Sequence, residues 1–138
     1  MHQDQDLFDQ LLKSVWKARA EGGEVRSEAL PEFVYNRATF NLLAERGWLR
    51  FNEGAVELTP RGEERARHAV RRHRLAERLF YETFGLHEDI LHENALKIDP
   101  VLSPEVTQRI CTFLHHPRTC PHGDPIPRGE CCVGAGEV

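Results

Sequence analysis

The sequence predicts a mostly α-helical chain with one small β-hairpin, ordered as a winged helix-turn-helix followed by further helices. Three observations carry this. Apolar residues recur at helical spacing over most of the chain. Two short β-rich runs, Trp48–Phe51 and Val56–Thr59, flank a turn containing Gly54. Thr59-Pro60 is an N-cap with proline at the first helical position, and it opens a long helix. Helix, short helix, helix, hairpin is the winged-helix order, in which the third helix enters the major groove and the hairpin touches backbone or minor groove.

Each element has its own reason. Asp6 to Ala20 is amphipathic, with Leu7, Phe8, Leu11, Leu12, Val15 and Trp16 on one face, and Gly22-Gly23 stops it. Ser27 can cap a short helix through Leu30, and Pro31 ends that helix or begins the next. Asn36 is the expected N-cap of a helix from Arg37 to Arg46, closed by Gly47. Phe40, Leu43 and Ala44 face inward there, and Arg37, Ala38, Asn41 and Glu45 outward. Arg37, Thr39 and Asn41 are donors of the kind that read base edges, which makes them the candidate DNA-binding residues.

The long helix runs from Pro60 to Phe84. His87 to Ile98 forms another, broken by Asp99-Pro100, and Ser103-Pro104 opens a last one carrying Val106, Ile110, Phe113 and Leu114. From Pro117 the chain is rich in Pro, Gly and Cys. Periodic packing cannot hold such a tail, so something else orders it or it is disordered. No internal repeat is present.

Composition narrows the function. At 40% hydrophobic and 29% charged the chain reads as globular, and no apolar run approaches the ~20 residues of a membrane helix. The stretch Met1–Asp6 is polar and acidic, unlike a signal peptide, so a cytoplasmic location is expected. A formal charge of −4 argues against a general basic coat. A local basic face remains: Arg61, Arg65, Arg67, Arg71, Arg72, Arg74 and Arg78 lie on the long helix and could meet phosphates. Glu63, Glu64 and Glu77 among them favour a solvated face instead. His73 and Glu77 are four apart on that helix. One face therefore carries an imidazole and a carboxylate close enough to share a cation, or to sit in surface ion pairs.

The order of motifs resembles the diphtheria-toxin-repressor family of iron- or manganese-dependent transcriptional repressors. Leu58-Thr59-Pro60-Arg61-Gly62, the string from Arg72 to Leu79, His92-Glu93, the string from Leu102 to Val106, and His122-Gly123-Asp124-Pro125-Ile126-Pro127 carry the likeness, which covers roughly residues 7–127. The resemblance implies a winged-helix DNA-binding domain over residues 1–60 and a helical metal-binding and dimerisation domain over 61–116, followed by a Cys/Pro/Gly-rich tail over 117–138. It further implies a homodimer on a double-stranded DNA operator, and it matches His73, Glu77 and His92 to the family's ancillary metal site. Two imidazoles and a carboxylate suit Fe(II), Mn(II) or Zn(II). The family's primary-site positions fall here on Gln10, Leu96, Asp99 and Pro100, and Leu96 and Pro100 cannot ligate through a side chain. The usual primary site is therefore expected to be absent. The stretch between Gly23 and Asn36 is shorter than the family's, and the sequence offers no counterpart of the SH3-like domain of larger members.

All four cysteines, Cys111, Cys120, Cys131 and Cys132, lie beyond residue 110. Without an export signal, such clustering reads as metal or redox chemistry. Four thiolates can close a tetrahedral zinc site or hold a [2Fe–2S] or [4Fe–4S] cluster, with His115, His116 and His122 as reserve ligands. Free thiols or an air-formed disulfide are the alternatives. The spacing matches neither a zinc ribbon nor a ferredoxin run. An iron-sensing lineage without its primary site needs another sensor, which favours Fe–S here.

The expectation is a metal-responsive transcriptional regulator, a repressor, sensing through a bound metal ion or an Fe–S cluster held by the C-terminal cysteines. The competing reading is a DNA-silent dimeric Fe–S or metal-binding module. An enzyme is not expected, because His73, Glu77 and His92 come with no signal for a general base, nucleophile or substrate cleft.

Overall fold

A computed structural model describes residues 2–132. The chain divides into two compact units between Arg67 and His68, inside the long helix. Among the described residues no helix is long and apolar enough to cross a membrane.

The first unit is a winged helix. Helix α1 (His2–Gly22) buries Phe8, Leu11, Leu12 and Val15, spaced so that one stripe faces the core. It ends where Gly23, at φ +80°, turns the chain. Where the sequence offered only a capped short helix, the chain first touches the wing. Val56 N–H donates to Val25 O at 2.8 Å and Ser27 N–H to Gly54 O at 2.9 Å, so the segment adds a single rung to the hairpin. One 3-10 turn over Ser27–Ala29 follows, and Pro31 begins α2 (Pro31–Tyr35). Asn36 occupies the N-cap position of α3 (Arg37–Glu45), but its side chain does not cap that helix. Its Nδ2 donates to Glu32 O at 2.9 Å and closes α2 instead. Phe40 and Leu43 of α3 are wholly buried against α1 and the wing.

Strands β1 (Leu49–Asn52) and β2 (Ala55–Leu58) pair antiparallel, Leu49 opposite Leu58 and Asn52 opposite Ala55. Glu53 and Gly54 both take positive φ, 50° and 84°, as a two-residue turn matched to strand twist requires. Helix α4 (Pro60–Glu82) is locked to the wing at its first turn. Thr59 Oγ1 donates to Gly47 O at 2.6 Å and accepts from Gly62 N–H at 3.1 Å. A Cβ on Gly62 would stand 1.7 Å from Trp48 O, so the backbones meet where only glycine fits. This is the physical content of the Leu58–Gly62 motif.

The second unit holds the rest of α4, then α5 (Glu88–Ile98), a 3-10 turn over Asp99–Val101, and α6 (Pro104–Phe113). Ser103 Oγ accepts from Val106 N–H at 3.1 Å, the cap expected from Ser103-Pro104. Leu75, Leu91 and Ala95 are wholly buried, and Ile126 is buried with Leu75 and Cys111.

Over residues 117–132 the tail is folded against α4, and arginines hold it. Arg71, Arg74 and Arg78 lie on one face of α4. Arg71 Nε donates to Pro127 O at 3.1 Å, Arg74 Nη1 to Pro125 O, and Arg78 Nη2 to Thr119 O at 2.7 Å. Thr119 and Pro125 form an isolated bridge across the loop between them. Elsewhere on α4, Arg61 reaches Arg46 O and stacks on Trp48, Arg65 pairs with Asp9, and Arg67 with Glu64. Of the seven arginines that suggested a phosphate-binding face, Arg61, Arg65, Arg67, Arg71, Arg74 and Arg78 are thus engaged within the protein. Guanidinium forks satisfy carbonyls that a stretch with little regular structure leaves open.

Candidate metal centre

Helical spacing puts His73 and Glu77 one above the other on α4, and α5 presents His92 to them. His73 Nε2 lies 3.1 Å from His92 Nδ1 and 3.6 Å from a Glu77 oxygen, and the other Glu77 oxygen is 3.4 Å from His92 Nδ1. The two rings meet edge to face. His73 and Glu77 are buried, whereas the His92 side chain is half exposed.

Asp99 completes the arrangement. Its Oδ2 is 2.8 Å from His73 Nδ1, and the residue is only 3% exposed. With Nδ1–H donating to this carboxylate, His73 would offer its Nε2 lone pair to an ion held together with Glu77 and His92. The sequence marked Asp99 only as a primary-site position that had lost its neighbours. Its pairing with His73 has no local signal, because 26 residues separate the two.

Burial pushes the Glu77 carboxyl up, but the hydrogen bond and charge of His73, helped by His92 and His122, outweigh it and hold the group below its ordinary value. Glu77 is thus an anion among imidazoles. A first-row dication bound at about 2.0–2.2 Å sets neighbouring ligand atoms about 3 to 3.6 Å apart, which this set matches. Two buried carboxylates, Glu77 and Asp99, also make a site that a cation neutralises. His73, Glu77 and His92 therefore fit a divalent ion.

The cysteines do not gather as one group. Cys120 lies with Glu77 and His122, all three offering ligand atoms within 4.8 Å of one another, and His122 Nδ1 is 3.7 Å from Glu77. Cys111, Cys131 and Cys132 gather instead with His116. The division follows from the tail's path. Arg78 pins Thr119, which sets Cys120 beside α4, while the short 3-10 turn Glu130–Cys132 returns to the end of α6. In the second group Cys111 Sγ is 3.5 Å from Cys132 Sγ and 3.4 Å from His116 Nδ1, and the Cys131 and Cys132 sulfurs are 3.9 Å apart. Burial and the neighbouring sulfurs push the Cys111 thiol up, to about 12. At Cys132 burial is outweighed by the Gly129 backbone, Arg71, Cys111 and His116, which bring the thiol down to about 6.

The candidate DNA-binding residues lie in the first unit. Arg37 and Asn41 are exposed on α3 and Thr39 is half buried; the Arg37 guanidinium stands 5.5 Å over the Phe33 ring.

The model of the "Iron dependent repressor, metal binding and dimerisation domain" family matches residues 59–128, more than half of the chain. The chain belongs to the iron-dependent repressor family. The matched stretch contains His73, Glu77, His92 and Asp99, and it ends before Cys131 and Cys132. Among curated relatives, the iron-dependent repressor IdeR of Mycobacterium leprae is 41% identical over 81 residues, 59% of this chain and 35% of that protein. The diphtheria toxin repressor of Corynebacterium glutamicum is 37% identical over 84 residues, 61% of this chain and 34% of that protein. The chain spans about a third of the length of these relatives. Among solved structures, a manganese-dependent transcriptional repressor in complex with manganese superposes with a TM-score of 0.79 at 32% identity, over 89% of this chain and 59% of that one. The IdeR of T. acidophilum superposes with a TM-score of 0.71 at 25% identity, over 94% and 61%. The fold shared with these structures is the winged helix and the helices that follow it.

Proposed function

We propose that this member of the family is a metal-responsive, DNA-binding transcriptional repressor that acts as a homodimer on a duplex operator. The observation that carries the reading is the buried His73–Glu77 pair, backed by Asp99 and faced by His92, on the helix that opens the family's metal-binding domain. Arg37, Thr39 and Asn41 on α3 supply donors for the major groove. The metal is Fe(II) or Mn(II), with Zn(II) as the alternative that the nearby Cys120 thiol would favour. His73 and His92 would hold it through nitrogen and Glu77 through oxygen, with Asp99 orienting His73. The bound ion neutralises buried charge, and its differential affinity for two states of the protein is what shifts operator affinity.

An iron–sulfur cluster has no place in this reading. Its irons sit apart and take separate thiolates, whereas Cys111, His116, Cys131 and Cys132 offer four atoms within 4.8 Å of one another, a grouping that suits a single ion better. Cys120 stands outside that shell, with Glu77 and His122.

The test is selection of duplexes from a randomised pool by the manganese- or iron-loaded protein, followed by titration of the winner with and without metal. Metal-dependent, salt-sensitive affinity is expected. Equal affinity in both conditions would sink the sensing role, and no duplex binding at any salt would favour the DNA-silent metal-binding module.

A further inference from the structure

We propose that Cys111, His116, Cys131 and Cys132 form a tetrahedral zinc site, separate from the sensing centre, that staples the tail to the second unit. The ligands come from three places: Cys111 in the last turn of α6, His116 three residues past its end, and the 3-10 turn Glu130–Cys132.

The four atoms gather closely enough for one ion, all within 4.8 Å of one another. Zinc with sulfur at about 2.3 Å and nitrogen at about 2.0–2.1 Å places tetrahedral neighbours about 3.5 to 3.8 Å apart. Cys111–His116, Cys111–Cys132 and Cys131–Cys132 stand 3.4, 3.5 and 3.9 Å apart. All four cysteines are free.

The backbone is bent to deliver the histidine. His115 and His116 both take positive φ, 63° and 55°, although neither is glycine. His116 N–H closes the helix end on Cys111 O at 2.7 Å, which swings its ring back over the Cys111 sulfur. Two successive left-handed residues are costly, and the contact they create is the one to Cys111.

Arg71 supplies the remaining charge. It is 3% exposed, and its Nη2 lies 3.1 Å from Cys131 Sγ and 3.7 Å from Cys132 Sγ. Its other acceptor is the neutral Pro127 carbonyl. A buried guanidinium needs an anion, and the sulfurs are what it faces. Three thiolates, a dication and one guanidinium sum to zero. Room for this is built in: a Cβ on Gly129 would stand 2.5 Å from the Arg71 guanidinium carbon.

The site closes four positions with protein ligands, as structural zinc does, and leaves none open for exchange. Its role is to hold the tail that carries Cys120 and His122 toward Glu77. The proposal does not rest on operator binding, and the two readings can fail separately.

The test uses the full chain carrying His73→Ala and His92→Ala, so that zinc in the sensing centre does not enter the count. Purified without oxygen and dialysed against citrate, it should retain one equivalent of zinc. Adding Cys111→Ser or Cys132→Ser should abolish retention, and adding Cys120→Ser should leave it intact. Cobalt in place of zinc should give the intense visible bands and sulfur-to-metal charge transfer of a tetrahedral thiolate site. No zinc retained by the parent variant would overturn the proposal, as would weak octahedral cobalt bands. Loss of zinc with Cys120→Ser but not with Cys111→Ser would overturn the ligand assignment, and brown protein with acid-labile sulfide would replace the ion with a cluster.

Discussion

The Asp99 carboxylate lies 2.8 Å from Nδ1 of His73, and both side chains are buried. A ligand histidine whose far nitrogen is held this way keeps one tautomer and one ring orientation. Asp99→Asn preserves shape but removes the charge that favours Nδ1–H. We expect metal affinity at His73, Glu77 and His92 to fall about 10- to 100-fold. Calorimetric titration with Mn(II) checks it, with circular dichroism to show that the fold is kept. Unchanged affinity would mean that Asp99 only fills space.

Gly62 touches Trp48 O too closely for any side chain. Gly62→Ala should therefore cost about 3 kcal/mol or more, since the obstacle is backbone and cannot rotate away. Ser103→Ala, which removes one cap bond on α6, should cost only about 1 kcal/mol. Urea unfolding of both variants gives the comparison, and equal costs would refute the close-approach argument.

Arg37 and Asn41 are exposed on α3. Replacing either with Ala should weaken operator binding by about 1–3 kcal/mol and relax preference at single base positions. Metal content should not change. A uniform loss across all sequences would reassign them to phosphate contacts.

Val106 and Phe113 on α6 are 45% and 63% exposed, and Val101 just before that helix is 72% exposed. Such apolar residues on the family's dimerisation domain are the natural seam for a second copy. Val106→Glu with Phe113→Glu should convert the proposed homodimer to monomer in light scattering, while zinc retention by the cysteine group persists. A dimer that survives both changes places the interface elsewhere.

Much of the fold was legible in the sequence because its determinants are local. The periodicities of α1, α4 and α6, the Thr59-Pro60 and Ser103-Pro104 caps, and the Gly54 turn each act within a few residues. The adjacency of His73 and Glu77 is of the same kind, since four residues make one helical turn. Only tertiary structure decided the rest. It joined Asp99 to His73, sent Cys120 to Glu77 and away from the other cysteines, recruited His116, and turned the arginine face of α4 from solvent to the tail. The reason is physical. Arg71, Arg74 and Arg78 bind backbone carbonyls, and every residue carries the same carbonyl, so no letter of the sequence marks the acceptor. Where the tail returns, and so which thiol meets which partner, is set by those bonds.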